Sequence, residues 1–144
     1  MGTVNVDSID VTPLKQIPVV GGDVLHAMKC TDPGFVDFGE AYFSKVEKGA
    51  VKAWKRHLQM TLNLIVPFGS VRFVFVDSDG SLREEVIGEN CYARLTVPPG
   101  IWFGFHGESA PYSLLLNISD IPHFPDEVER KEINEIEFDW EIIK

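Results

Sequence analysis

Cysteine is almost absent: only Cys30 and Cys91 occur in 144 residues, and neither belongs to a Cys-x-x-Cys pair. Two such thiols exclude a disulfide framework and read as free groups in a reducing compartment, so a cytoplasmic setting is expected. Long apolar runs are missing as well. Nothing approaches the roughly 18 residues that a membrane span needs, and the start, MGTVNVDSID, has neither a basic opening nor an apolar core segment. The expectation is a protein without a standard secretion signal and without a membrane partner. Basic residues are scarce, 13 against 22 acidic ones for a net charge of −9. A nucleic-acid surface would have to be assembled against that field, and no basic patch offers one. The acid excess gathers in residues 127–141 and reads as a solvated face. An anionic substrate therefore requires basic side chains focused inside a pocket.

Hydrophobic residues at 44% and charged residues at 24% are ordinary for a soluble domain, and the length suits one core, so residues 1–144 read as a single domain. The pattern is of short strands with almost no helical period. Residues 71–77, Val-Arg-Phe-Val-Phe-Val-Asp, place Val71, Phe73 and Phe75 on one face and end at Asp79-Gly80, a strong hairpin signal. Further strands are expected at 39–46, 51–66, 84–87, 92–97, 102–106 and 112–118, punctuated by Lys48-Gly49, Phe68-Gly69 and Pro98-Pro99-Gly100. Strands at this spacing without helices between them indicate an all-β sandwich or barrel. One short helix is expected over 126–134, after Pro125 and with Asp126 near its start. Residues 1–20, interrupted by Pro13 and Pro18, read as an arm that gains order by lying on something else, such as a neighbouring subunit.

Three stretches carry a family likeness: Gly39-Glu-Ala-Tyr-Phe-Ser-Lys-Val, then Val51-Lys-Ala-Trp-Lys-Arg-His57 with Thr61-Leu-Asn63, then Val66-Pro-Phe-Gly-Ser-Val-Arg-Phe-Val-Phe-Val-Asp77. With Val97-Pro-Pro-Gly-Ile-Trp-Phe-Gly-Phe105 and Asn117-Ile-Ser-Asp-Ile-Pro-His-Phe-Pro-Asp-Glu127, the chain from about Gly39 to Trp140 resembles the dTDP-4-dehydrorhamnose 3,5-epimerase family, as a short divergent member. The resemblance implies a cupin jelly roll (double-stranded β-helix), a homodimer, and a nucleotide diphosphate sugar bound inside the barrel. It also implies a role in making surface polysaccharides such as lipopolysaccharide, and no metal or organic cofactor. The residues agree on metal: cupin metal sites need several His and a carboxylate on one ion, whereas here Lys55 precedes His57 and Phe103 stands where a third His is usual.

Epimerisation beside a keto group needs a base, a cation or donor for the enolate oxygen, and an acid on the opposite face. The resemblance makes His57 the base, and histidine suits that role because it titrates near neutrality. Lys55 and Lys52 are candidates to neutralise an enolate or a pyrophosphate. Strand alternation puts Lys55 on the face of His57 and Lys52 on the other unless a bulge intervenes, while the family pattern Lys-x-Trp-x-x-His favours Lys52. Glu132 lies near the family's acidic residue that orients the histidine. Trp54 and Trp102 are candidates to stack on a ring, and Tyr42 and Asn63 to bind hydroxyls. His26, His106 and His123 have no motif support.

Two departures from the family pattern stand out. Leu116 occupies the place of the general-acid tyrosine, and Val20-Gly21-Gly22 replaces the turn that carries a phosphate-binding arginine. Either another residue such as Tyr42 or Tyr112 supplies the acid, or one centre alone is moved, as in a single-centre epimerase or a 3,4-ketoisomerase. The third alternative is a nucleotide-sugar-binding or partner protein without catalysis.

Overall fold

The computed structural model of the chain describes residues 4–142. The structure is built from two five-stranded antiparallel sheets. One has the order β1-β9-β6-β11-β4, formed by Asp10–Pro13, Ala93–Val97, Leu62–Phe68, Tyr112–Ser119 and Glu40–Glu47. The other has the order β12-β5-β10-β7-β8, formed by Val128–Arg130, Val51–His57, Trp102–Gly107, Ser70–Val76 and Leu82–Gly88. A small hairpin of β2 (Gln16–Ile17) and β3 (Val24–Leu25) stands apart. From β4 onward, strands that follow each other in sequence alternate between the sheets, except at the β7–β8 hairpin, the winding of a cupin jelly roll.

Alternating side chains from the two sheets meet in the core, where Leu64, Val66, Leu95 and Leu115 pack with Phe73, Phe75, Phe103 and Phe105. The hairpin between β7 and β8 closes at the expected place. Asp77 accepts backbone N–H groups of Val6, Asp79 and Ser81, and Gly80 adopts the φ of +81° that such a turn needs. A second apolar cluster lies on the outer face of the second sheet. There Trp54, Val74, Val76 and Trp102 are covered by Ile136, Phe138 and Trp140 of the C-terminal tail. This cover explains why β7 is buried on both faces.

Three expectations change. Residues 126–134 form no α-helix: a 3-10 turn at Pro125–Glu127 leads into β12, and another follows at Ile133–Glu135. The open edge of β5 accepts β12 in register, and that pairing overrides the local helix signals. Residues 51–66 are two strands rather than one, because the chain turns between His57 and Leu62 and changes sheet. The N-terminal arm, from residue 4 onward, lies on its own subunit, with β1 pairing β9 from Asp10↔Thr96 to Pro13↔Ala93.

Candidate active site

His57 ends β5, and its ring is buried beside Phe103 at 6.2 Å between centroids. Its Nδ1 meets Oε1 of Glu127 at 2.5 Å. Glu127 is fully buried, and its other oxygen accepts the backbone N–H groups of Met60 at 3.2 Å and Gln59 at 3.4 Å. Those donors belong to the turn between β5 and β6, so the carboxylate is fastened to the same turn that the histidine enters. A buried carboxylate on Nδ1 fixes that nitrogen as the donor and leaves Nε2 with the lone pair. Among the described residues Nε2 has no hydrogen-bond partner, although His57 lines a cavity. Burial pushes the His57 pKa down, against the pull of Glu127, with the charge of Lys55 adding to the fall. Burial opposes ionisation of Glu127 too, but its hydrogen bond and charge interaction with His57 and the two amide N–H bonds hold its pKa below the usual range. The pair is thus a neutral imidazole on a carboxylate, the state of a base ready to accept a proton at Nε2.

The carboxylate that meets His57 is therefore Glu127, and the expectation for Glu132 is corrected. Glu132 lies beyond β12, exposed at the cavity rim, where its backbone N–H binds Glu135. Glu127 closes the stretch Pro-His-Phe-Pro-Asp-Glu that already belonged to the family likeness, but its partner is 70 residues away in sequence and local spacing gives no sign of it.

Two adjoining cavities share Tyr42, Lys55 and Arg130 as lining residues. The first, of ≈ 390 Å³, is walled by Trp54, Phe103, Phe105, Asn117 and Lys52, with Glu132 and Glu135 at its edge. The second, of ≈ 430 Å³, holds His57, Met60, His123 and Val128. Lys52 and Lys55 both reach the first cavity because the pairing of β5 with β10 slips between Phe103↔Lys55 and Gly104↔Ala53, leaving Trp54 as the extra residue of a bulge. Gly104 permits this close approach, since a Cβ there would lie 2.5 Å from that of Ala53. Lys55 sits over Phe103, 5.7 Å from the ring centroid, and its pKa is lowered by burial first and by Arg130 next. Tyr42 has its pKa raised, by burial and then by Glu40, so its hydroxyl stays protonated.

Three expected site residues lie elsewhere. Trp102 is on the outer face of β10, between the cationic heads of Arg56 and Lys131 at 4.8 and 4.7 Å, while its neighbours Phe103 and Phe105 point inward. Asn63 holds a loop, donating to Gly34 O and accepting from Thr96 Oγ1. Tyr112 packs on Phe68 with Lys45 over its ring. Trp54 is intermediate: it lines the first cavity, but its indole N–H is spent on Ile133 O. Leu116 also faces away from the cavity. Along β11 the buried positions are Ser113, Leu115, Asn117 and Ser119, so the side chain that this strand gives to the cavity is Asn117, while its one tyrosine, Tyr112, falls in the other class with Leu116. Among the described residues no three His, Cys, Asp or Glu gather closely enough to hold a metal ion. No described helix is long and apolar enough to cross a membrane.

Fold and site together define a cupin whose cavity contains a paired imidazole and carboxylate. The chain is 37% identical to a dTDP sugar isomerase of Desulfovibrio desulfuricans G20, whose crystal structure superimposes with a TM-score of 0.91 over 97% of this chain and 96% of that one. It belongs to the family of cupin-type nucleotide-sugar epimerases and isomerases that includes dTDP-4-dehydrorhamnose 3,5-epimerase. A curated relative, the probable low-salt glycan biosynthesis epimerase Agl13 of Haloferax volcanii, is 30% identical over 89 residues, 57% of this chain and 57% of its own length. The fold is shared at 18% identity with the sugar 3,4-ketoisomerase QdtA of Thermoanaerobacterium thermosaccharolyticum, solved with TDP, at a TM-score of 0.76 over 91% of this chain and 96% of that one. No family-wide sequence profile matches the chain.

Proposed function

We propose that this protein is an isomerase of nucleotide-linked 4-keto-6-deoxyhexoses, with His57 as the base that removes a proton from the carbon next to the keto group. The observation that carries the reading is the buried His57–Glu127 pair, whose unpartnered Nε2 belongs to a side chain lining a cavity. In the proposed step Nε2 takes the proton, the C–H electrons move into an enolate, and the enolate oxygen is stabilised by the lysine field of Lys52 and Lys55. A proton then returns to carbon from the hydroxyl of Tyr42, for which its place on the wall shared by both cavities speaks. The epimerase name of the curated relative supports a place in glycan assembly. Two copies pair in this reading. Its support is the uncovered outer face of β4 and β11, where Phe43 is 61% exposed and Leu114, Leu116 and Ile118 are half-buried.

The test is proton NMR in deuterium oxide with a panel of nucleotide-linked 4-keto-6-deoxyhexoses. Wild type is expected to place deuterium at C3, C4 or C5, and His57→Ala to abolish it while the fold persists. Label at C4 with a carbonyl newly at C3 identifies a 3,4-ketoisomerase, and label at C3 or C5 with inverted configuration an epimerase. Undiminished exchange in His57→Ala overturns the assignment of the base. Saturable binding without exchange in wild type leaves a binding protein instead.

A further inference from the structure

β12 pairs with the edge of β5 in the register Val128↔His57, Glu129↔Arg56 and Arg130↔Lys55. The middle pair matches opposite charges, and Arg56 and Glu129 form an ion pair. The next pair does the reverse: Arg130 and Lys55, both cationic, stand directly opposite each other, and both line both cavities. Like charges opposed across two strands are destabilising. The charge of Glu127 acts on Lys55 from beyond ion-pair distance. Arg56, Arg72, Arg83 and Arg94 each have a carboxylate within ion-pair distance, whereas Arg130 and Lys55 have none among the described residues. In a chain of net charge −9, an arginine and a lysine side by side on adjacent strands, without an ion-pair partner among the described residues, make a local inversion of the field.

Resting on the nucleotide-sugar reading, we infer that Arg130 and Lys55 form a two-pronged clamp for the diphosphate of the ligand, at the waist where the two cavities meet. Guanidinium binds phosphoryl oxygens in bidentate fashion and ammonium does so as a point charge, so one anion between them neutralises the repulsion and gains charge-assisted hydrogen bonds from both. The clamp fixes the ligand's direction. The sugar lies in the cavity of His57, and the nucleoside lies in the cavity of Trp54, Phe103, Phe105 and Asn117. It also gives Arg130 the task that an arginine at Val20-Gly21-Gly22 would otherwise perform.

The experiment is calorimetric titration of the full chain with TDP, UDP, GDP, inorganic pyrophosphate and thymidine, for wild type, Arg130→Met and Arg130→Lys. Wild type is expected to bind TDP and pyrophosphate at one shared site and thymidine far more weakly. Arg130→Met is expected to weaken TDP by about 10- to 100-fold, the value of one or two charged hydrogen bonds, and Arg130→Lys to recover part of it. Arg130 is exposed, so no core is lost, and removing one of two opposed cations is expected to leave the ligand-free melting temperature unchanged or higher. An Arg130→Met protein that binds TDP within about twofold of wild type overturns the clamp, as does wild type that binds thymidine as tightly as TDP. Both results leave the sugar-nucleotide reading intact, whereas wild type that binds neither TDP, UDP nor GDP removes that reading and the clamp together.

Discussion

Replacing Glu127 by glutamine exchanges one carboxylate oxygen for an NH₂ group in a site where both oxygens are in use. Oε2 accepts the backbone N–H groups of Met60 and Gln59, and Oε1 accepts Nδ1–H of His57 at 2.5 Å. A glutamine has one acceptor to divide between these two sides. The turn offers two donors fixed in the backbone, and an NH₂ group aimed at them leaves three donors facing one another. The carbonyl oxygen therefore turns toward Met60 and Gln59, and the NH₂ toward His57. Nδ1 becomes the acceptor, the ring proton moves to Nε2, and the atom that lined up to receive a proton now carries one. The change is isosteric, so folding is largely kept, while the contribution of a positioned general base, about 10²- to 10⁴-fold, is lost. Two measurements separate this cause from a loss of structure: the rate of deuterium uptake into the sugar, and the ¹⁵N resonances of the His57 ring, which report the tautomer. Glu127→Gln with exchange within about threefold of wild type and an Nδ1–H tautomer refutes the reasoning.

Stability should follow pH through the same pair. His57 and Glu127 both stand below their ordinary values of 6.5 and 4.5, so over the window beneath each value the unfolded chain binds the proton that the folded chain excludes. The melting temperature is expected to fall as pH is lowered from about 7 to about 4, and His57→Gln to flatten the upper part of that slope; parallel curves for the two proteins would contradict this. Trp140→Ala removes a buried ring that packs on Trp54 at 5.4 Å and on Phe138 at 4.7 Å between centroids. A loss of about 3–5 kcal/mol in urea unfolding is expected, together with weaker TDP binding, because the same tail carries Arg130.

The central strands were legible because their cues are local. Residues 71–77 carry Val71, Phe73 and Phe75 on one face and lead into Asp79-Gly80, so β7 and its turn follow from five or six neighbouring side chains. The tail misled for the complementary reason. Pro125 and Asp126 are sound helix-start signals, but the backbone groups of 128–130 find their partners on β5, some 70 residues earlier. In Trp102-Phe-Gly-Phe-His both faces of a strand are aromatic, and nothing local says that Phe103 and Phe105 rather than Trp102 turn inward. The lysines divide on one residue: simple alternation separates Lys52 from Lys55, and the bulge at Trp54 reunites them at the cavity. His57 came from the likeness of its motif. Arg130 lies in a run of mixed charge that composition alone marks as solvated, and only its register against Lys55 distinguishes it.

The edge strand β12 has a consequence for how this molecule can be handled and altered. Its three residues are joined to the barrel along one margin and to the apolar cover of the outer face by the few residues that follow. The imidazole sits on β5, but its carboxylate partner Glu127 directly precedes β12, and the cation opposite Lys55 lies three residues further on. Proton chemistry and ligand choice thereby meet on one short stretch of chain. A library confined to 129–135 would search ligand preference while keeping Glu127 and Val128, the two residues of that stretch that stand against the base.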